Sequence, residues 1–213
     1  MPNSTNTGLS LDAYFDKVFY INLEKDVARN ENMIKQFYKL SISNFERIDA
    51  IELKELPGLE KYRNFIKKDK RYVIGQLSAR ASHLKCIRIA SERNYKRILI
   101  LEDDVEFLMH PNELLEQNRA ILNDWDMLYF GGLIEPHFRN QVVGGYAYGV
   151  ASKLFDDIIN MAEASGMEID NFYAKILQHM SYNYNASGRY NIRLTFPFNL
   201  IFPSQSFKSN IQG

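Results

Sequence analysis

The segment Arg97 to Phe107, RILILEDDVEF, constrains the fold of this 213-residue chain more than any other. Ile98, Leu99, Ile100 and Leu101 follow one another without alternation, the pattern of a buried strand. Glu102, Asp103 and Asp104 then close it with three adjacent carboxylates. Such neighbours repel one another and resist desolvation, so a folded chain keeps them only where water, a cation or a cationic partner compensates. The segment therefore predicts a buried strand whose end meets a partner.

The flanking periodicities supply the rest of a sheet. KVFYINL (Lys17 to Leu23) reads as a strand. EKDVARNENMIKQFYKL reads as an amphipathic helix turning Val27, Met33, Ile34 and Phe37 to the core, and FERIDAI as a second strand. After a polar loop with Pro57 and Gly58, a helix is expected to follow Gly75 and run from Gln76 to Arg93. RILILE and the helical NELLEQNRAIL continue the alternation, which implies parallel pairing in this half. Beyond DWDMLYFGG come the glycine-punctuated QVVGGYAYGV, helices at about 152–164 and 170–180, and short strands at about 193–202. The fold class is α/β: a mixed, mostly parallel central sheet flanked by helices, with a Rossmann-like nucleotide-binding first half. One domain over 1–213 is expected, split functionally at about residue 107.

Composition removes several function classes. Lys and Arg number 26 against 26 Asp and Glu, which is not the footprint of a protein that grips nucleic acid by its phosphates. The single cysteine, Cys86, can form neither an internal disulfide nor a cysteine-based metal site, and fits a reducing compartment. The polar opening MPNSTNTGLS lacks the pattern of a secretory signal, and no apolar run of about 18 residues occurs. A soluble cytoplasmic protein is expected. Lys61 to Arg71 holds six basic residues, read as a solvated loop or as peripheral contact with an anionic membrane face.

In an open α/β sheet, ligands sit beyond the carboxyl ends of the parallel strands. Asn22, Asp49 and the Glu102-Asp103-Asp104 cluster are expected to converge there, with Arg80 and His83 brought near by the helix that follows Gly75. Arg80 and His83 read equally as a structural ion-pair partner and a satisfied core histidine. Hard oxygen ligands without His or Cys suit Mn²⁺ or Mg²⁺ shared with substrate phosphates. The chain has no glycine-rich phosphate cradle, so a nucleotide diphosphate held through a metal is the expected ligand.

The acidic strand has the wording of a bacterial receiver domain, but the phospho-acceptor position would fall on Phe130, and the segment before Arg97 has no receiver counterpart. The chain instead resembles glycosyltransferase family 25, the lipooligosaccharide and collagen galactosyltransferase group, in six blocks in order. These are VFYINLEKDVARNENM, FERIDAI, IGQLSARASHLKCIRIA, LILEDDVEF, DWDMLYFGG with GGYAYGVASKLFDDII, and PSQSFKSNIQ. LILEDDVEF is similar to the family's Asp-x-Asp-like acidic signature. Tyr146 stands where many relatives have histidine, and Asn210 where the terminal motif usually has aspartate.

The resemblance implies a GT-A fold, a UDP-sugar donor, a divalent cation usually taken as Mn²⁺, and inverting transfer to a glycan, glycolipid or glycoprotein hydroxyl. Asp104 and Glu102 would then hold the cation, with Asp103 or Glu102 meeting the ribose. Asn22 and Asp49 suit uracil and ribose, and Arg29 and Arg80 are candidates for a phosphate fork, Arg29 also reading as a plain surface helix residue. His83 joins the nucleotide-sugar-binding set, and Asp170 is the candidate general base, with helix capping as its other reading. Asp124 and Asp126 are competing bases. A catalytically inactive nucleotide-sugar-binding module of the same fold is the alternative reading.

Overall fold

The alternation of strand-like and helix-like segments becomes a sheet covered on both faces. The computed structural model describes residues 9–52, 55–56, 70–135, 141–178, 190–204 and 206–207. Strands β1 (Lys17–Asn22), β2 (Phe45–Asp49) and β3 (Arg97–Glu102) run parallel, with β1 between the other two. Next to β3 lies β8 (Ala147–Ala151), antiparallel, followed by β5 (Met127–Tyr129) and β9 (Ile192–Leu194). The six-stranded order is β2-β1-β3-β8-β5-β9. The expected α/β class with a mixed, mostly parallel sheet is what the chain adopts.

Successive side chains of a strand point to opposite faces, so each buried strand feeds two cores. Phe19, Ile21, Ile98 and Ile100 pack under helices α3 (Lys70–Glu92), α5 (Phe155–Ser165) and α6 (Ile169–Phe172). Val18, Tyr20, Leu99 and Leu101 face the other way, toward α1 (Leu11–Tyr14), α2 (Val27–Lys39) and α4 (Pro111–Gln117). The apolar run of β3 is continuous because both of its faces are covered. Trp125 is buried in the second core.

The structure differs from the periodic reading in three places that bear on the site. Helix α3 starts at Lys70, so Gly75 lies within it and Arg80 and His83 sit mid-helix. In α2, Met33 and Phe37 are fully buried but Val27 is 57% exposed, because the first turn directs Arg29 inward instead. Strand β4 (Val105–Phe107) leaves the main sheet directly after the acidic motif and pairs antiparallel with β10 (Ile201–Pro203). A third small sheet, β6 (Leu133–Glu135) with β7 (Gln141–Val143), leads away from the end of β5.

The remaining helical segment follows α6 without a break as a π-helical stretch, Tyr173–Gln178. His110 caps α4, accepting from the Asn112 amide ahead of Pro111. No helix of the described residues is long and apolar enough to cross a membrane. His137, His179, Asn210 and most of the basic stretch Lys61 to Arg71 lie outside the described residues.

Candidate active site

The parallel strands end on one edge of the sheet, and because β8 runs the opposite way its entrance lies on that edge too. Asn22 is in register with Asp49, Ile21 with Glu102, and Leu101 with Ala147. Asp49, Asn22 and Glu102 thus end three adjacent strands, and Tyr146, whose carbonyl accepts from the Glu102 amide, directly precedes the fourth.

The polar groups at this edge fall into two sets. In the first, the middle acid of the motif is saturated. Asp103 accepts from Asn22 Nδ2 at 2.7 Å on one oxygen and from Arg29 Nη1 at 2.7 Å on the other. Asn22 also donates to the Asp26 carbonyl and accepts from Arg47 Nε at 2.9 Å, and Arg47 pairs with Asp49 at 3.0 Å. Arg29 reaches Asp104 at 3.4 Å and has the Phe207 ring 5.6 Å from its guanidinium carbon. Asn22, Arg29 and Asp103 are all buried. Burial pushes the Asp103 carboxyl up, against the pull of Arg29 and Asn22.

These contacts bear on three of the expected site residues. Asn22 donates both amide protons within the protein, Asp103 has a partner on each oxygen, and Arg29 is buried, which corrects its reading as a plain surface helix residue. Their bonds to one another fix the acidic loop to β1 and α2. Arg80 is likewise buried and donates to the Met167 carbonyl at 2.8 Å, tying α3 to the turn before α6.

In the second set two carboxylates, Asp104 and Asp170, are under-compensated. Asp104 Oδ1 is buried without a hydrogen-bond partner, and burial together with Glu102 raises the Asp104 carboxyl to about 6. The Glu102 side chain is one-third exposed, at 34%. Asp170, in the first turn of α6, is raised to about 6 by burial and then by Glu102, while His83 and the Gly145 amide lower it. The residue at the helix cap is Glu168, so the capping reading of Asp170 is overturned. A Cβ on Gly145 would lie 2.7 Å from Asp170 Oδ1, so only glycine lets the backbone approach that carboxylate unhindered.

His83 sits beneath these acids, 1% exposed, with Nε2 3.5 Å from Glu102 Oε1 and Nδ1 2.8 Å from the Tyr148 hydroxyl. At that burial it packs behind the acids, within reach of Glu102. The competing bases lie at the opposite end of the sheet. Asp126 accepts from Lys153 and the Asn191 amide just before β5, and exposed Asp124 pairs with Arg193.

Sequence reasoning missed Arg47, Tyr148 and Asn199. Arg47 was within reach of a period-2 reading, since it stands two residues before Asp49 on one strand face. Asn199 carried no such signal. It adopts a left-handed conformation, φ 64°, and its side-chain oxygen accepts from both Gly132 N and the Tyr146 hydroxyl. Burial, followed by Glu102 and Asp170, raises the Tyr146 phenol to about 12, which keeps it protonated as a donor at neutral pH.

The donor set can be tested against a divalent cation. Among the described residues, no three His, Cys, Asp or Glu side chains converge as a cage. Two carboxylates, Asp104 with a free buried oxygen and the partly exposed Glu102, do adjoin one another. Two protein carboxylates completed by ligand phosphates is the usual arrangement for Mg²⁺-type ions, so the residues fit such a cation.

Comparison with known proteins bears on the same residues. The family model described as glycosyltransferase family 25 (LPS biosynthesis protein) matches residues 15–182. Procollagen galactosyltransferase 1-B of Xenopus laevis is 31% identical over 161 residues, 63% of this chain and 25% of that protein. Procollagen galactosyltransferase 2 of Homo sapiens is 25% identical over 162 residues, with the same shares of each chain. The chain thus spans about a quarter of the length of these relatives. Among solved structures, a glycosyltransferase involved in glycosylation of the major capsid of PBCV-1 aligns with 85% of this chain and 81% of its own. That alignment has a TM-score of 0.48 and 10% identity. The match to the family model runs from just before β1 to just beyond Gln178 and takes in both polar sets of the crevice, and on that extent the chain belongs to glycosyltransferase family 25.

Proposed function

We propose that this chain transfers a hexose, galactose or glucose, from a UDP-sugar to a hydroxyl of a glycan or glycoconjugate, with inversion at the anomeric carbon. The observation that carries the reading is Asp104, whose buried Oδ1 lacks a partner, beside Glu102 at the strand end where a nucleotide diphosphate would lie. Asp104 and Glu102 would hold Mn²⁺ or Mg²⁺. A bound cation there would stabilise the charge that grows on the departing diphosphate.

The other residues take roles that follow from their positions. Asp49, exposed and oriented by Arg47, remains free to accept from ribose hydroxyls, while Asn22, Arg29 and Asp103 keep the acidic loop in place. Asp170 is the general base. Its raised carboxyl is a better proton acceptor than an ordinary aspartate, and ionised above about pH 6 it takes the proton of the attacking hydroxyl. The galactosyltransferase names of the relatives support a UDP-galactose donor. Tyr146, protonated and held by Asn199, offers a hydroxyl to the sugar or acceptor.

Calorimetric titration with UDP, GDP and CMP, each with and without Mn²⁺, tests donor class and metal together, and a transfer assay with UDP-galactose and UDP-glucose tests turnover. UDP is expected to bind best and only with the cation, and Asp104→Asn to lose that dependence. Equal binding of all three nucleotides without metal would overturn the reading. Metal-dependent UDP binding without turnover would leave a nucleotide-sugar-binding module.

A further inference from the structure

A buried chain of hydrogen bonds ends on Glu102 and dictates where a proton sits. The Tyr173 hydroxyl donates to the Tyr148 hydroxyl at 3.1 Å, and the Tyr148 hydroxyl lies 2.8 Å from His83 Nδ1. All three side chains are buried, and the imidazole stacks on the Tyr148 ring at 5.7 Å between centroids. The opposite nitrogen, Nε2, is the one that faces Glu102. The hypothetical Cβ of Gly145, which touches Asp170, is also 3.8 Å from His83 Cε1, so the ring lies between the two carboxylates of the crevice.

Each phenol has a single proton to place. With Tyr173 donating to Tyr148, the Tyr148 proton goes to His83 Nδ1, and every donor in the chain has an acceptor. If Nδ1 carried the proton and donated to Tyr148, one phenol proton in the core would be left without an acceptor among the described contacts. Burying such a group is unfavourable. In its uncharged form the ring therefore carries its proton on Nε2, aimed at Glu102.

We infer that His83 is a positioning residue: Tyr173 and Tyr148 fix its Nε2–H tautomer, and that N–H steers the Glu102 carboxylate. The 3.5 Å separation closes to hydrogen-bond length with a small rotation of the partly exposed Glu102 side chain, as site contacts tighten when a ligand arrives. One Glu102 oxygen is then held by His83 and the other is left to the ligand side. This inference rests on the proposed role of Glu102, while the tautomer itself depends only on the protein.

Two measurements test it. Long-range proton–nitrogen correlation spectra of the intact protein at pH 8, with His83 identified by its contact to the Tyr148 ring, are expected to show a pyridine-type Nδ1 and a pyrrole-type Nε2. A protonated Nδ1, alone or together with Nε2, overturns the inference. The second measurement is UDP affinity in the presence of Mn²⁺ for His83→Gln and His83→Asn. A glutamine amide nitrogen overlies Nε2 and an asparagine one overlies Nδ1. Glutamine should stay within about threefold of wild type, whereas asparagine should lose about 10- to 100-fold, the usual cost of losing a partner that orients a ligating group. A core-filling histidine gives the reverse order or no difference, and either result overturns the steering role. Wild-type protein that binds no UDP with Mn²⁺ removes the proposed function and the steering role with it, a failure separable from that of the tautomer, which the spectrum decides without ligand.

Discussion

The two sides of the crevice use the same residue types to opposite ends. On the β1–α2 side, Asp103 is bonded on both oxygens, and its partners Asn22 and Arg29 are buried with it. On the β3–α6 side, Asp104 keeps a buried oxygen without a partner, and Asp104 and Asp170 are both pushed to about 6. Two adjacent aspartates in one motif thus differ completely in how far the protein compensates them. A charge held on both oxygens by buried partners fixes architecture. An under-compensated one leaves free energy for a ligand to recover.

The largest effect should come from breaking the saturated side. Arg29→Met leaves Asp103 buried with one oxygen unpaired, and removing one partner of a buried ion pair costs about 3–5 kcal/mol. Chemical denaturation should show that loss, and a change below about 1 kcal/mol would mean that Asp103 is held by Asn22 alone.

On the other side, Asp170→Asn should lower turnover by about a hundredfold or more, the scale of lost general-base catalysis, while donor binding persists. Its stability should move the other way. The Asp170 carboxyl in the folded state, at about 6, lies above its ordinary 3.8, so the native state holds the proton more tightly. The stability it contributes is present below about 3.8 and is lost as pH rises through about 6. At pH 8 the asparagine variant escapes that penalty and should be more stable by about 1–2 kcal/mol, discounting the shift for partial exposure. Melting curves from pH 8 down to pH 4 should show the advantage shrinking toward zero, and a constant difference would break the assignment.

Gly145→Ala is a gentler probe of the same side. The added methyl displaces the Asp170 carboxylate without straining the backbone, so turnover should fall by about tenfold with stability within about 1 kcal/mol. Unchanged turnover would mean that the position of Asp170 does not matter. The smallest effect belongs to Asp124→Asn. Exposed and paired with Arg193 far from the crevice, it should change stability by no more than about 0.5 kcal/mol and leave turnover alone.

The strands were legible because burial on two faces leaves a local imprint. KVFYIN and RILILE read correctly within a residue. The direction of β8 was not, since an apolar strand carries no mark of whether its neighbour runs with it or against it. The helix face of α2 misled at Val27, because the first turn answers to Asp103, 74 positions after Arg29, and not to the local apolar stripe. At the site, residue types pointed to the right edge of the sheet, but the pairing among them did not follow. Which of three consecutive acids is neutralised depends on Asn22 and Arg29 arriving from elsewhere in the chain.

The pairing of β4 with β10 has a consequence for the order in which the site can be completed. Ser204 donates its amide to the Asp104 carbonyl at 2.6 Å, and its hydroxyl bonds to Glu106. The acidic loop is therefore clamped by residues about a hundred positions later, a closure that slows assembly relative to the local β1–α2–β2 unit. On a ribosome, the first three strands exist long before Ser204 is made. Until Ser204 is made, the acidic loop of a nascent chain lacks this clamp.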